Sequence, residues 1–440
     1  MSKWWKFLPA LIALFLLRLA FGLFIRPVQP MEDEVQTYLL GLKYFTTGDW
    51  PFYGNDVLTP PPGPSMLLSQ DPGALQALLV GIPLKIWPDP LSPLLAVNLL
   101  SFAAFSFLAL YILKRLPNFS PWFVFPWVLT LPWTLHYSTG ILNLSYTVTA
   151  SCFFFVAFME SLPPLSLGWI TPLRANLLMG FSLGAWVQLH RTWVLSVPFL
   201  LLSFYFQWKA SRKPTTLLHF VLGALPMILL IVPTFFRPDY HYFRDIHGMS
   251  ASFELRNLGR FFTILIQYLA LVSFEMLRFI GISTQARTAY LASHWTLWTG
   301  FLLWYFSYLQ AVILLGFGFD PKNPAKSWDW VRLMAGLTFL LIFGLLMFSA
   351  KNPDLNTFYE TLPIMMVYSF CVMSRFWSWA PARKFLWVLL FSSLAFQTGY
   401  LFEKTPQKES FYSTYKDPIA KAIQEKNFHL LGERRPGTFY

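Results

Sequence analysis

Cysteine is almost missing from these 440 residues. Cys152 and Cys371 both lie inside apolar runs and share no CxxC spacing, which excludes a disulfide framework and a thiolate metal site. Charge is scarce as well, 12% of residues against 55% apolar, and acids are outnumbered 21 to 33 by bases. So little charge cannot cover a soluble fold of this length. No internal repeat is visible, which counts against transporter folds built from inverted repeats. The net charge of +12 is no nucleic-acid footprint, because its Lys and Arg are spread through short loops between apolar runs.

What is abundant is apolar and aromatic: 46 Phe, 19 Trp and a mean hydropathy of +0.49. These features point to an all-α polytopic membrane protein. The first run, "FLPALIALFLLRLAFGLFI", has the roughly 20 residues a spanning helix needs, with Lys3 and Lys6 before it. It reads as a retained signal anchor with a cytoplasmic N-terminus. Further spans are expected near 91–113, 121–137, 143–160, 176–190, 193–208, 216–236, 293–318, 331–349, 358–374 and 385–402. Lys114 and Arg115, Arg174, and Lys209, Arg212 and Lys213 fall on alternate loops, which the positive-inside rule makes cytoplasmic. Keeping Lys322, Lys326, Arg375, Arg383 and Lys384 inside requires that 254–280, a predicted helix with Glu275 and Arg278 in one turn, make no net crossing. About eleven spans result. "ALQALLVGIPLKIW", only two-thirds of a span, is expected as an outer juxtamembrane helix.

The organisation expected is therefore a transmembrane domain over 1–402, with a first outer loop at 26–90 and another at 237–292. An external tail, 403–440, carries a short amphipathic helix opened by Asp417 and Pro418 and ending near Gly432.

Among the polar residues, Glu32, Asp33 and Glu34 stand together just beyond the first span. Alone they read equally as a solvated patch. Their context in the chain is more specific: Asp33-Glu34, some three helical turns, then Gly48-Asp49-Trp50. This pattern resembles the first outer loop of GT-C glycosyltransferases, the class of protein O-mannosyltransferases and lipid A aminoarabinose transferases. "QDPGALQALLVGIPLKIW" is similar to that class's Pro-rich turn and juxtamembrane helix, "NLGRF" (257–261) to its outer amphipathic helix, and "SAKNPDLNTFYETLP" (349–363), with Tyr359, to its late loop. The chain departs from the pattern in having Asp71-Pro72-Gly73 for a Lys-Pro-Pro or His-Pro-Pro. It also has Asn143 where an acid is usual, and His190-Arg191 where relatives often carry a lysine.

The resemblance implies a GT-C bundle in a bacterial cytoplasmic membrane with its active site on the outer face. Its donor would be a polyprenyl-phosphate-linked sugar and its acceptor a lipid, glycan or protein. It leaves the sugar open. Asp33 would act as general base, with Glu34 orienting it or a divalent metal ion, the one cofactor in view. The leaving phosphate calls for cations, and Lys351, Arg278, His190 and Arg191 are the candidates. Each has a plainer reading: Arg278 as the i,i+3 partner of Glu275, Lys351 snorkelling at a span end, His190 and Arg191 capping a helix mouth. Arg18, inside the first span, is expected to face the interior without a catalytic role. The rival class is a lipid or glycan transporter.

Overall fold

The structure, a computed structural model, describes residues 7–25, 32–56, 70–212, 215–236, 253–276, 279–280, 284–294, 299–319, 326–348, 355–404, 420–421 and 424–425. The side chains of 32–36, 55–56, 70, 326–327, 355–357 and 404 are not among the features described. Lys351 and Arg278 lie outside the described residues, and for Asp33 and Glu34 only the backbone is given; of the predicted tail helix, Ala420, Lys421 and Gln424 are described and helical, with Glu425 N donating to the Lys421 carbonyl at 2.9 Å.

Helix follows helix: α1 (Leu8–Phe24), α2 (Glu32–Thr47), α3 (Leu75–Ile86), α4 (Ser92–Arg115), α5 (Pro121–Thr130), α6 (Pro132–Ser138), α7 (Asn143–Ser161) and α8 (Pro172–Leu189). After these come α9 (Val197–Ser211), α10 (Thr215–Phe235), α11 (Phe261–Ala270), α12 (Thr284–Ser293), α13 (Thr299–Gly318), α14 (Lys326–Leu346), α15 (Leu362–Phe376) and α16 (Ala380–Lys404). Two short strands, β1 (Tyr53–Asp56) and β2 (Gln70–Pro72), pair antiparallel with Tyr53 opposite Pro72. The chain is an all-helical polytopic membrane protein. Six of the described helices are long and apolar enough to cross a bilayer by length and composition.

Proline marks many of the starts, where its missing N–H costs nothing. In α5 and α8 the hydroxyl just before it completes the cap: Ser120 accepts from Trp122 N and Thr171 from Arg174 N. Pro132 has the opposite effect within the expected span 121–137, which becomes α5 and α6 joined through an extended Leu131. The hub is α7, 94% of whose spanning window is buried, against 17% for α10 at the periphery. Arg18 of α1 is fully buried, donating to the Leu129 carbonyl at 2.9 Å and to the Ser101 and Ser138 hydroxyls at 2.8 Å each, with Phe105 facing the guanidinium.

The helix expected over 254–280 is corrected. It comprises a 3-10 turn at Leu255–Arg260 and the ten-residue α11, about 15 Å long and half a hydrocarbon core. Beyond Ala270 tertiary contacts override the helical pattern. Gln310 of α13 donates to the Val272 carbonyl at 3.0 Å, Phe274 packs against Trp127 at 4.4 Å between ring centres, and the Ser273 hydroxyl accepts from Glu275 N at 3.4 Å. Glu275, buried, therefore sits outside any helix.

Candidate active site

One end of the bundle collects the starts of α2 and α7, the end of α8, β2, and two 3-10 turns, Arg191–Ser196 and Leu355–Thr361. These turns lie outside the spans: α8 stops at Leu189 and α15 begins at Leu362, so His190, Tyr359 and Glu360 belong to connections. Extended backbone at His190 (φ −165°, ψ 141°) ends α8, and the imidazole Nδ1 caps the next turn by accepting Thr192 N–H at 3.3 Å.

Two polar groups meet there. In the first, Thr192 Oγ1 donates to Glu360 Oε1 at 2.9 Å, lies 2.8 Å from His190 Nδ1 and accepts Trp186 Nε1–H at 3.2 Å. His190 Nδ1 is 3.5 Å from Glu360 Oε1; the histidine side chain is 22% exposed and the glutamate fully buried. Burial raises the Glu360 carboxyl to about 8. Burial, with the Arg191 charge next to it, lowers His190 to about 4. Both are neutral at pH 7. The threonine proton serves one neighbour at a time, so a protonated Glu360 gives its own proton to Oγ1 and turns the hydroxyl towards Nδ1, whereas an ionised Glu360 draws it back. Tyr359, also fully buried and with its phenol raised by burial, stands 5.6 Å from Tyr137 and 6.1 Å from Trp133 between ring centres.

The second group ties the first loop to α8. Gln76 Nε2 donates to the Gln188 and Leu189 carbonyls at 3.2 and 3.1 Å and to Asp71 Oδ2 at 3.4 Å, and Leu75 N donates to Gln188 Oε1 at 3.3 Å. Gly73 turns the chain at φ +102°, and a Cβ there would overlap Gln188 Oε1. Asp71, 3% exposed, thereby faces Arg191, with Oδ1 3.9 Å from Nε.

Asp33 and Glu34 occupy the first turn of α2, where the helix dipole favours carboxylates. Four residues after Glu34, buried Tyr38 donates to the Pro90 carbonyl at 3.3 Å and lies within electrostatic reach of Tyr146 in the first turn of α7. Asn143 opens that turn and its Oδ1 accepts Leu144 N–H at 2.7 Å. The fold thus brings Asp71, His190, Arg191 and Tyr359 together and the α2 backbone bearing Asp33 to the same end, while Glu275 lies in the non-helical segment after α11. Glu360, Thr192, Gln76 and Gln188 escaped sequence reasoning. The available signal for Glu360 was a carboxylate immediately ahead of the apolar run that becomes α15. Among the described residues no three His, Cys, Asp or Glu side chains converge as metal ligands.

Compared with solved structures, the chain superposes on the apo crystal structure of ArnT from Cupriavidus metallidurans with a TM-score of 0.52 and 13% identity, over 95% of this chain and 79% of that one. The fold is that of ArnT. The likeness is one of fold, and it accords with the kind of membrane bundle that the loop motifs led us to expect. A structure of the same ArnT bound to undecaprenyl phosphate aligns at 12% identity with a TM-score of 0.48, covering 96% and 80% of the two chains. No family model and no curated protein sequence matches the chain. At such identity the ArnT fold is shared while side chains have diverged, so every site residue stands on its own surroundings.

Proposed function

We propose that this protein is an inverting glycosyltransferase of the outer face of a bacterial cytoplasmic membrane, moving a sugar from a polyprenyl-phosphate donor to a lipid, glycan or protein acceptor. The observation that carries the reading is the ArnT fold over 95% of the chain, with the acidic first turn of α2 at the bundle end that also gathers Asp71, His190, Arg191 and Glu360.

In this reading the acceptor hydroxyl loses its proton to Asp33 as its oxygen bonds to the anomeric carbon, and the bond from that carbon to the phosphate oxygen breaks on the opposite face. Polyprenyl phosphate leaves with the bonding electrons. Cations at that side act more strongly as the phosphate charge grows. Arg191 is the described candidate, held half-buried beside Asp71; Lys351 and Arg278 are candidates by position in the sequence. His190, neutral at pH 7, would contribute a hydrogen bond and no charge. Glu34 orients Asp33 in this scheme, and the same two carboxylates are the proposed holders of a divalent ion if one takes part.

Purified protein in liposomes, given labelled polyprenyl-phosphate sugars and an acceptor panel of lipid A, glycans and membrane proteins, tests the proposal. The expected result is label covalently joined to acceptor with inverted anomeric configuration. Movement of the lipid-linked sugar across the bilayer with no transfer to any acceptor would establish the transporter instead.

A further inference from the structure

Between α13, α15 and α16 lies a cavity of about 370 Å³, within the ~300–1,000 Å³ typical of ligand sites. Its walls are almost wholly apolar: Leu309 and Ile313 from α13, Met373 and Phe376 from α15, Phe385 and Leu389 from α16. It opens sideways, where Leu309, Ile313 and Phe385 are exposed. Along α16 it runs from Pro381 to Leu389, roughly 12 Å at the rise of a helix. Its lower end is the α15–α16 connection, remote in sequence and fold from the candidate active site, which adjoins the opposite end of α15.

Along α15 and α16 that end carries charge of one sign. Arg383 and Lys384, both exposed, sit in the first turns of α16 between the lining residues Ala382 and Phe385, and among the described residues neither has an ion-pair partner. Arg375 stands at the end of α15. No Asp or Glu occurs between Thr361 and Phe402. The positive end of the α16 dipole adds to this field, and Trp379, 62% exposed, lies at the mouth as interfacial tryptophans do. Asp329 of α14 also lies at this end but is paired with Arg332 at 2.6 Å, so an apolar slot beneath the unpaired cations of α16 suits a molecule with an anionic head and a hydrocarbon tail.

We propose that this groove binds an anionic phospholipid of the cytoplasmic leaflet, one acyl chain lying between α13, α15 and α16 and the phosphate meeting Arg383 and Lys384. The cytoplasmic assignment rests on the basic loop itself, and cations at such a position attract anionic headgroups. A zwitterionic lipid offers the same tail but no net charge to the mouth, so head charge sets the preference.

The test uses the full chain in nanodiscs of phosphatidylcholine doped with phosphatidylglycerol whose acyl chain carries a photoactivatable diazirine. Expected are crosslinks on peptides spanning 306–314 and 369–389, together with retention of phosphatidylglycerol over phosphatidylcholine in native mass spectrometry. Arg383→Gln with Lys384→Gln should lower that preference about thirtyfold, given the strength of two basic residues near a membrane surface. Lys209→Gln, at another exposed basic site, should leave it unchanged. Ala382→Phe, which fills the groove, should remove the crosslinks while leaving the charges. Crosslinks confined to other helices would overturn the proposal. So would equal retention of the two lipids, an unaltered preference in the double variant, or displacement of phosphatidylglycerol by equimolar polyprenyl phosphate.

Discussion

At the scale of single residues, the proposed transfer places its greatest demand on Asp33. Asp33→Asn keeps the shape and removes the base, so transfer should fall about a hundredfold or more with folding intact; near-normal turnover with purified donor would remove Asp33 from the reaction. Glu360 makes a different demand, on stability. Its native carboxyl keeps a proton up to about 8, whereas in the unfolded chain it releases it near 4.5. The native state then holds more protons between these values, and stability falls as pH rises through that window. His190 works in reverse: unfolded it charges near 6.5 but natively only near 4, so stability rises with pH between those values. From pH 6.5 to 8 Glu360 acts without His190. The melting temperature in detergent should decline over that interval, and Glu360→Gln should flatten the decline; an unchanged slope would show that Glu360 is already ionised in the native state.

At the scale of elements, α8 and α10 pack with their backbones almost touching. A Cβ at Gly180 would overlap the Phe220 carbonyl, and one at Gly223 the Leu177 carbonyl. Such contacts between small residues are what holds helices together where lipid supplies no hydrophobic drive. Gly180→Val should force the pair apart and cost about 1–3 kcal/mol, in the range of overpacked sites, seen as a lower melting temperature. Gly336→Ala in α14, where a Cβ meets nothing within 4 Å, should leave it level or slightly higher. The signal was present in the sequence as Gly180 and Gly184 four residues apart, "GFSLG", but which helix would approach that face was not.

At the scale of the whole molecule, the alternation of basic loops makes a prediction about sidedness. In a chain with both native cysteines replaced, single cysteines at Asn55, Asn356 and Ser410 should react with an impermeant thiol reagent added to intact cells, and one at Lys326 should not. Labelling at Lys326 would invert the second half of the bundle and, with it, the side on which the groove beside α16 opens. The two ends of the molecule would then exchange roles, so this measurement precedes any interpretation of lipid binding.

Composition alone determined that the chain lives in a membrane and is built of helices, because a bilayer leaves no other way to satisfy the backbone of so many apolar segments. Loop motifs in order along the chain raised the expectation of a GT-C type bundle, since each motif is local and survives as spacing, and the ArnT-like fold accords with it. Proline in the first two positions likewise marks half of the described helix starts, α15 at Leu362-Pro363 among them. Two kinds of feature depended on tertiary structure. The non-helical path of 271–276 was set by Gln310 and Trp127, partners 38 and 147 residues away from Val272 and Phe274, which no helical periodicity contains. The site's polar groups did too: Thr192 and Glu360, 168 residues apart, become neighbours only when two 3-10 turns are folded over the same end of the bundle. Burial there, and not residue type, makes a glutamate and a histidine both neutral at pH 7. Desolvation belongs to the packed molecule, so a sequence can show that a carboxylate is present but not which charge it will carry.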